Sequence, residues 1–72
     1  FLGDYKSLLQ EMIQTDRKSL SYELVRETGP AHDKTFMVNV VIDGIVYGTG
    51  IGKSKKEAEQ KAAYDAYQKR AR

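Results

Sequence analysis

Two alternating apolar runs, separated only by Asp43-Gly44, restrict the folding of this 72-residue chain more than any other feature. Phe36, Val38, Val40 and Ile42 alternate with Met37, Asn39 and Val41, and Ile45 to Ile51 carries the chain back. A period of two is the spacing of a strand. Asp-Gly between two such runs makes a two-residue hairpin turn, because both positions tolerate positive φ. Upstream, Ser21-Tyr22-Glu23-Leu24-Val25-Arg26-Glu27 also alternates, with Tyr22 and Leu24 on one face, and Gly29-Pro30-Ala31-His32-Asp33-Lys34 reads as the loop that joins it to the hairpin. The middle of the chain is expected to be a three-stranded antiparallel meander.

Such a sheet has a face that must be covered, and two amphipathic segments are available to cover it. From Asp4 to about Asp16, the residues Tyr5, Leu8, Leu9, Met12 and Ile13 follow the i, i+3, i+4, i+7, i+8 spacing of a helix and form its expected core face. Arg17 to Leu20 reads as a connection. A last helix is expected from about Lys55 to Lys69, with Ala58, Ala62, Ala63, Ala66 and Tyr67 as its apolar face. Alanine permits close approach, and Gly48, Gly50 and Gly52, on alternate positions of the third strand, leave room for a helix or a ligand; helix packing is the reading for Gly48. The fold class is therefore α+β, in the order α-β-β-β-α, with both helices on one face of the sheet. Residues 1–72 form a single domain with a core of about 4–70 and no internal repeat. A domain of this length has an expected radius of gyration near 11 Å and is about 30 Å across.

Composition removes several function classes. There is no Cys and one His, so disulfides, thiolate metal sites and a histidine-rich zinc site are not expected. The acidic residues are dispersed, with no motif pairing them beside a water site, so no catalytic residue and no metal ligand is assigned. No apolar run approaches the roughly 20 residues of a membrane span and no signal-peptide pattern opens the chain. The expectation is a soluble, cytoplasmic domain without a membrane partner.

Charge is uneven along the chain. Residues 53–72 hold seven Lys/Arg against three Asp/Glu, a local charge of +4, while residues 1–52 sum to −2. Within the basic part, Ser54 and Glu57 have capping-box spacing, so Lys53, Lys55 and Lys56 stand at a helix start. The macrodipole there favours acids, not lysines. The residues thus offer either a phosphate site built from free N–H groups and mobile cations or a solvated, lysine-rich helix end. On the first helix Ser7, Gln10, Glu11 and Gln14 form a polar stripe that is either a hydrogen-bonding surface or the wet side of the helix.

The element order, together with Gly29-Pro30-Ala31-His32, Phe36-Met37-Val38 and Gly50-Ile51-Gly52-Lys53-Ser54-Lys55-Lys56-Glu57-Ala58, resembles the double-stranded RNA-binding domain over roughly Asp4 to Arg70. Leu9-Gln10-Glu11 and Lys53-Ser54-Lys55-Lys56-Glu57-Ala58-Glu59-Gln60 are most similar to the C-terminal domain of bacterial ribonuclease III. The resemblance implies three contact regions: Gln10, Glu11 and Gln14 in one minor groove, Pro30, Ala31 and His32 in the next, and Lys53, Ser54, Lys55 and Lys56 on the phosphates between. The chemistry fits A-form RNA, whose wide, shallow minor groove presents 2′-hydroxyls and whose base edges are hidden in a narrow major groove. Many members of the wider family carry a further lysine where Glu59 stands, so part of that phosphate-binding pattern is replaced here.

What the resemblance implies is a noncatalytic module that binds double-stranded RNA by shape, largely independently of sequence, and presents it to a nuclease domain of a parent ribonuclease III. The chain itself needs no cofactor; magnesium belongs to the nuclease domain. Phe1-Leu2-Gly3-Asp4 shares four letters with the nuclease signature and is read as linker or coincidence. The alternative function is a protein-interaction or dimerisation domain of the same fold, with Tyr64 and Tyr67 as its exposed candidates. The isolated domain is expected to be monomeric.

Overall fold

The computed structural model describes residues 4–70; the reading of Phe1-Leu2-Gly3 lies outside them. Five elements follow the expected order: α1 (Tyr5–Thr15), β1 (Leu20–Thr28), β2 (Thr35–Ile42), β3 (Ile45–Gly52) and α2 (Lys55–Arg70). The strands pair antiparallel as β1-β2-β3. Asp43 and Gly44 have φ of 50° and 81°, the two positive values that close a hairpin of this length without splaying its strands. The turn is also anchored from outside: the Asp43 carboxylate accepts the Ser19 N–H at 2.9 Å and the Ser19 hydroxyl at 3.1 Å, which holds its pKa below the ordinary value.

α1 begins at Asp4, whose side chain accepts the Ser7 N–H at 3.3 Å and so satisfies one of the free donors of the first turn. It ends in a Schellman pattern, with Lys18 N–H on the Ile13 carbonyl at 3.1 Å and Arg17 N–H on the Gln14 carbonyl at 3.0 Å. Arg17 takes the left-handed position, φ 57°, where glycine is usual.

The core lies between the helices and one sheet face: Leu9 and Ile13 of α1, Val38, Val40 and Ile42 of β2, and Ala58, Ala62, Ala63 and Ala66 of α2. Each large aliphatic side chain buried there is worth about 1.5–3 kcal/mol. α2 packs on β3, β2 and α1. A Cβ added to Gly50 would stand 2.2 Å from both the Ala58 carbonyl oxygen and the Ala62 nitrogen, and Gly48 and Gly52 are similarly covered by the α2 backbone. The small residues thus accommodate a helix at all three positions.

The sequence reading needs five corrections here. Leu8 is not a core residue; it is 42% exposed, because it lies about 100° around the helix from Leu9 and the buried seam is only as wide as Leu9 and Ile13, flanked by half-buried Tyr5 and Met12. The strand alternation is broken by a bulge at Val25, between the Leu24 and Arg26 pairings, and Leu24 is exposed. A second bulge puts Tyr47 between the Gly48 and Val46 pairings. Tyr67 is half-buried, not exposed, and Tyr5 meets Tyr64 edge-on at 4.6 Å and Tyr67 at 6.0 Å. The domain is also more elongated than expected, measuring 40 × 26 × 17 Å with a radius of gyration of 12.2 Å.

Candidate nucleic-acid interface

All ten residues singled out in the sequence are exposed: Gln10, Glu11, Gln14, Pro30, Ala31, His32, Lys53, Ser54, Lys55 and Lys56. The fold gathers them from three separate stretches. On α1, Gln10 and Glu11 line a groove with Lys6, Ser7 and Tyr22. Gln14 lies one turn beyond Gln10 on the same helix face.

At the start of α2 the capping pattern forms with a shift. Ser54 Oγ accepts the Glu57 N–H at 3.0 Å as expected, but the returning Glu57 carboxylate accepts the N–H of Lys53 rather than that of Ser54. Both interactions fix the first turn and leave the side chains of Lys55 and Lys56 outside it. Neither of these lysines is in an ion pair among the described residues. They line a second groove with Asp4, Lys6, Ser7, Glu59 and Gln60. Lys6 and Ser7 belong to both grooves, so the polar stripe of α1 and the lysines of α2 form one continuous surface.

The β1–β2 loop joins the same surface from the other side. Asp33 N–H donates to the Pro30 carbonyl at 2.9 Å, closing a turn with Ala31 and His32 at its tip. Lys53 Nζ reaches both Asp33 Oδ1 and Thr35 Oγ1 at 3.2 Å, tying the loop to the residue just before α2. Lys34 and Glu27 pair across the base of the loop. The Glu27 carboxyl is held below its ordinary pKa, first by that hydrogen bond and also by the charges of Lys34 and Lys55. The loop, Lys53, the Lys55–Lys56 pair and the α1 stripe therefore follow one another in space.

Three participants are absent from the sequence reading. Lys6 contacts Glu59 at 2.5 Å and lies 5.1 Å from the Tyr22 ring centroid, and its N–H donates to Gln60 Oε1 at 3.2 Å. Asp4, besides capping α1, accepts the Gln60 amide at 2.9 Å and the Ser7 hydroxyl at 2.6 Å. The Ser7 hydroxyl, then the Gln60 amide, lower its pKa to about 2. Tyr22 has its hydroxyl buried without a hydrogen-bond partner among the described residues, and burial, helped by the charges of Glu59 and Asp4, pushes its pKa up to about 12. Asp4 and Lys6 tie the start of α1 to Gln60 and Glu59 of α2, and Tyr22 lies beside Lys6 in the groove. Their spacing in sequence, more than 50 positions for the helix–helix pairs, leaves no local signal.

The surface is one of amides, a carboxylate, a loop tip and cations, with no group of three or more His, Cys, Asp or Glu side chains able to hold a metal among the described residues. Chemically it can donate to and accept from hydroxyls and neutralise phosphates. The family described as "Double-stranded RNA binding motif" matches residues 5–70. The chain is 53% identical over 70 residues to Ribonuclease 3 of Natranaerobius thermophilus, covering 94% of this chain and 30% of that protein. It is 44% identical over 72 residues to Ribonuclease 3 of Aster yellows witches'-broom phytoplasma, again 30% of that protein. The chain therefore spans about 30% of the length of these curated relatives. Among solved structures, Arabidopsis HYL1 superposes with a TM-score of 0.86 at 36% identity, covering 97% of this chain and all of that one. Dicer from Pichia stipitis gives 0.73 at 31% identity, covering 93% of this chain and 34% of that one.

Proposed function

This chain belongs to the double-stranded RNA binding motif family, and from that membership we propose that it binds double-stranded RNA through A-form shape, 2′-hydroxyls and phosphates, largely without regard to sequence. The observation that carries the reading is the continuity of the surface: the α1 stripe adjoins the Lys55–Lys56 groove through Lys6 and Ser7, and Lys53 adjoins the Pro30–His32 turn. In this reading Gln10, Glu11 and Gln14 meet 2′-hydroxyls in one minor groove, Pro30, Ala31 and His32 meet the next, and Lys53, Ser54, Lys55 and Lys56 lie on the phosphates between. A long axis of 40 Å supports contact with two successive minor grooves, as domains spanning about 16 base pairs require. The protein-interaction alternative has less support, since Tyr67 is half-buried and Tyr5 packs against both Tyr64 and Tyr67.

The parent protein, by the same proposal, is a cytoplasmic ribonuclease III. Its nuclease domain carries the hydrolysis and any magnesium, and this monomeric module supplies the grip on substrate. Support comes from relatives named Ribonuclease 3 that are about three times as long as the chain's match to them.

Binding to a duplex of about 20 base pairs tests the first reading, because that length exceeds the ~16 base pairs contacted. Affinity for RNA is expected to exceed that for a DNA duplex of the same sequence; equal affinities would end the proposal. Replacing Lys55 and Lys56 together with Ala is expected to lower the salt slope of binding by almost one unit per lost phosphate contact, about two units in all, with the thermal melt unchanged. An unaltered slope would remove those two lysines from the interface.

A further inference from the structure

Two acids, Asp4 and Glu59, share a groove with three lysines, and Asp4 is already engaged by Ser7 and Gln60. Glu59 shares the α1–α2 groove with Lys6, Lys55 and Lys56, and it pairs with the first of these at 2.5 Å. The pair is not sequestered: the Lys6 and Glu59 side chains keep 36% and 28% of their exposure. A partly exposed pair of this kind contributes little net stability, so a competing anion can open it. Opening it does not release Lys6 into solvent, because its ammonium also lies 5.1 Å from the Tyr22 ring centroid and its backbone N–H is held by Gln60. Lys6 thus has a fixed place beside Lys55 and Lys56, with Glu59 as the acid in direct contact and Asp4, held by Ser7 and Gln60, acting on it only from further off.

We propose that Lys6 is a further phosphate-binding cation of this surface and that Glu59 is its internal counterion, displaced by a phosphate oxygen when a duplex docks. The inference rests on the double-stranded RNA reading. Its consequence is an exchange that is neutral in ions. When Lys6 neutralises a phosphate, the cation condensed there is released, but the vacated Glu59 carboxylate takes one up. Lys6 then adds a directional contact without adding to the salt dependence, and Glu59 keeps the duplex releasable. Lys55 and Lys56, with no acid to vacate, release ions outright.

Four versions of the 72-residue chain separate this from simpler explanations: unaltered, Glu59→Gln, Lys6→Gln, and the double variant, each titrated with a 20-base-pair RNA duplex over a range of salt and each melted thermally. Glu59→Gln is expected to bind about three- to eightfold more tightly near 0.1 M salt, with a slope steeper by just under one unit, as one more net ion release requires. The double variant is expected to return to the unaltered slope, and Lys6→Gln alone to weaken binding with little change in slope. An unchanged slope for Glu59→Gln overturns the proposal. So does a gain of equal size in the Lys6→Gln background, which would reflect only the loss of a negative charge. A lower melting temperature with weaker RNA binding in Glu59→Gln would make the pair a structural tie and overturn it as well. If the unaltered chain does not bind the RNA duplex, the underlying reading fails with it. That outcome is visible before any variant is compared.

Discussion

α1 and α2 attach to the rest of the molecule in opposite ways. Among the described residues, the fully buried side chains of α2 are all alanines, and the helix lies against the glycines of β3, so its backbone meets a strand with almost nothing between them. α1 inserts two large side chains, Leu9 and Ile13, and is secured at its start by polar ties from Asp4 and Lys6 to Gln60 and Glu59. The first seam is rigid because neither side has atoms to rearrange; the second is adjustable because long side chains and exchangeable hydrogen bonds make it. In the proposed function this places Lys55 and Lys56 on the fixed helix. The minor-groove stripe sits on the helix that can adapt.

The difference is most easily broken at Gly50. Gly50→Ala puts a Cβ 2.2 Å from two backbone atoms of α2, neither at the end of a flexible side chain. The expected loss exceeds about 3 kcal/mol, beyond ordinary overpacking. A denaturant midpoint close to that of the unaltered chain would show that the seam can give. Ile13→Val probes the other helix more gently. It is expected to cost about 1 kcal/mol with the m-value unchanged, since the site loses one methylene group and its neighbours can close in.

Acid should loosen the α1 seam. The folded pKa of Asp4, about 2, lies below its ordinary 3.8, so its contribution is complete above about pH 4 and is lost as pH falls toward 2. Asp4→Asn, which keeps a capping side chain, is expected to flatten that part of the stability–pH curve. A curve superimposable on the unaltered one between pH 4 and 2 would assign the acid sensitivity to Glu27 and Asp43, whose pKa values are also lowered. The smallest effect is expected at the end of α1, where Arg17→Gly relieves a left-handed residue and gains up to about 1 kcal/mol, less the entropy of glycine in the unfolded chain. A loss there would mean that the arginine side chain stabilises the turn.

The sequence carried the architecture because the architecture is periodic. The Asp43-Gly44 turn, the strand runs, the Ser54–Glu57 cap and the Ala–Gly seam all declare themselves within a few residues. The bulges at Val25 and Tyr47 do not: a bulge adds one residue to an otherwise apolar run and changes the pairing, not the composition. Leu8 was misread for a related reason, since spacing sets the width of an apolar stripe but not how much of it a neighbouring helix covers. Of the proposed interface, the parts set by local chemistry were legible. Glu59 was legible only as an acid in place of a lysine; its pairing with Lys6 beside Tyr22 was not, because that relation exists only after α1, α2 and β1 have packed together.

The bulges have a use outside ligand binding. β1 and β3 are the two edges of the sheet, and each carries one. On β3 the Thr49 N–H is, in addition, taken by Asp65 of α2 at 3.0 Å, with Lys69 on the same carboxylate at 3.1 Å. An incoming strand from another copy finds a broken ladder on one side and, on the other, a broken ladder with an occupied donor, so both edges are poor templates for strand addition.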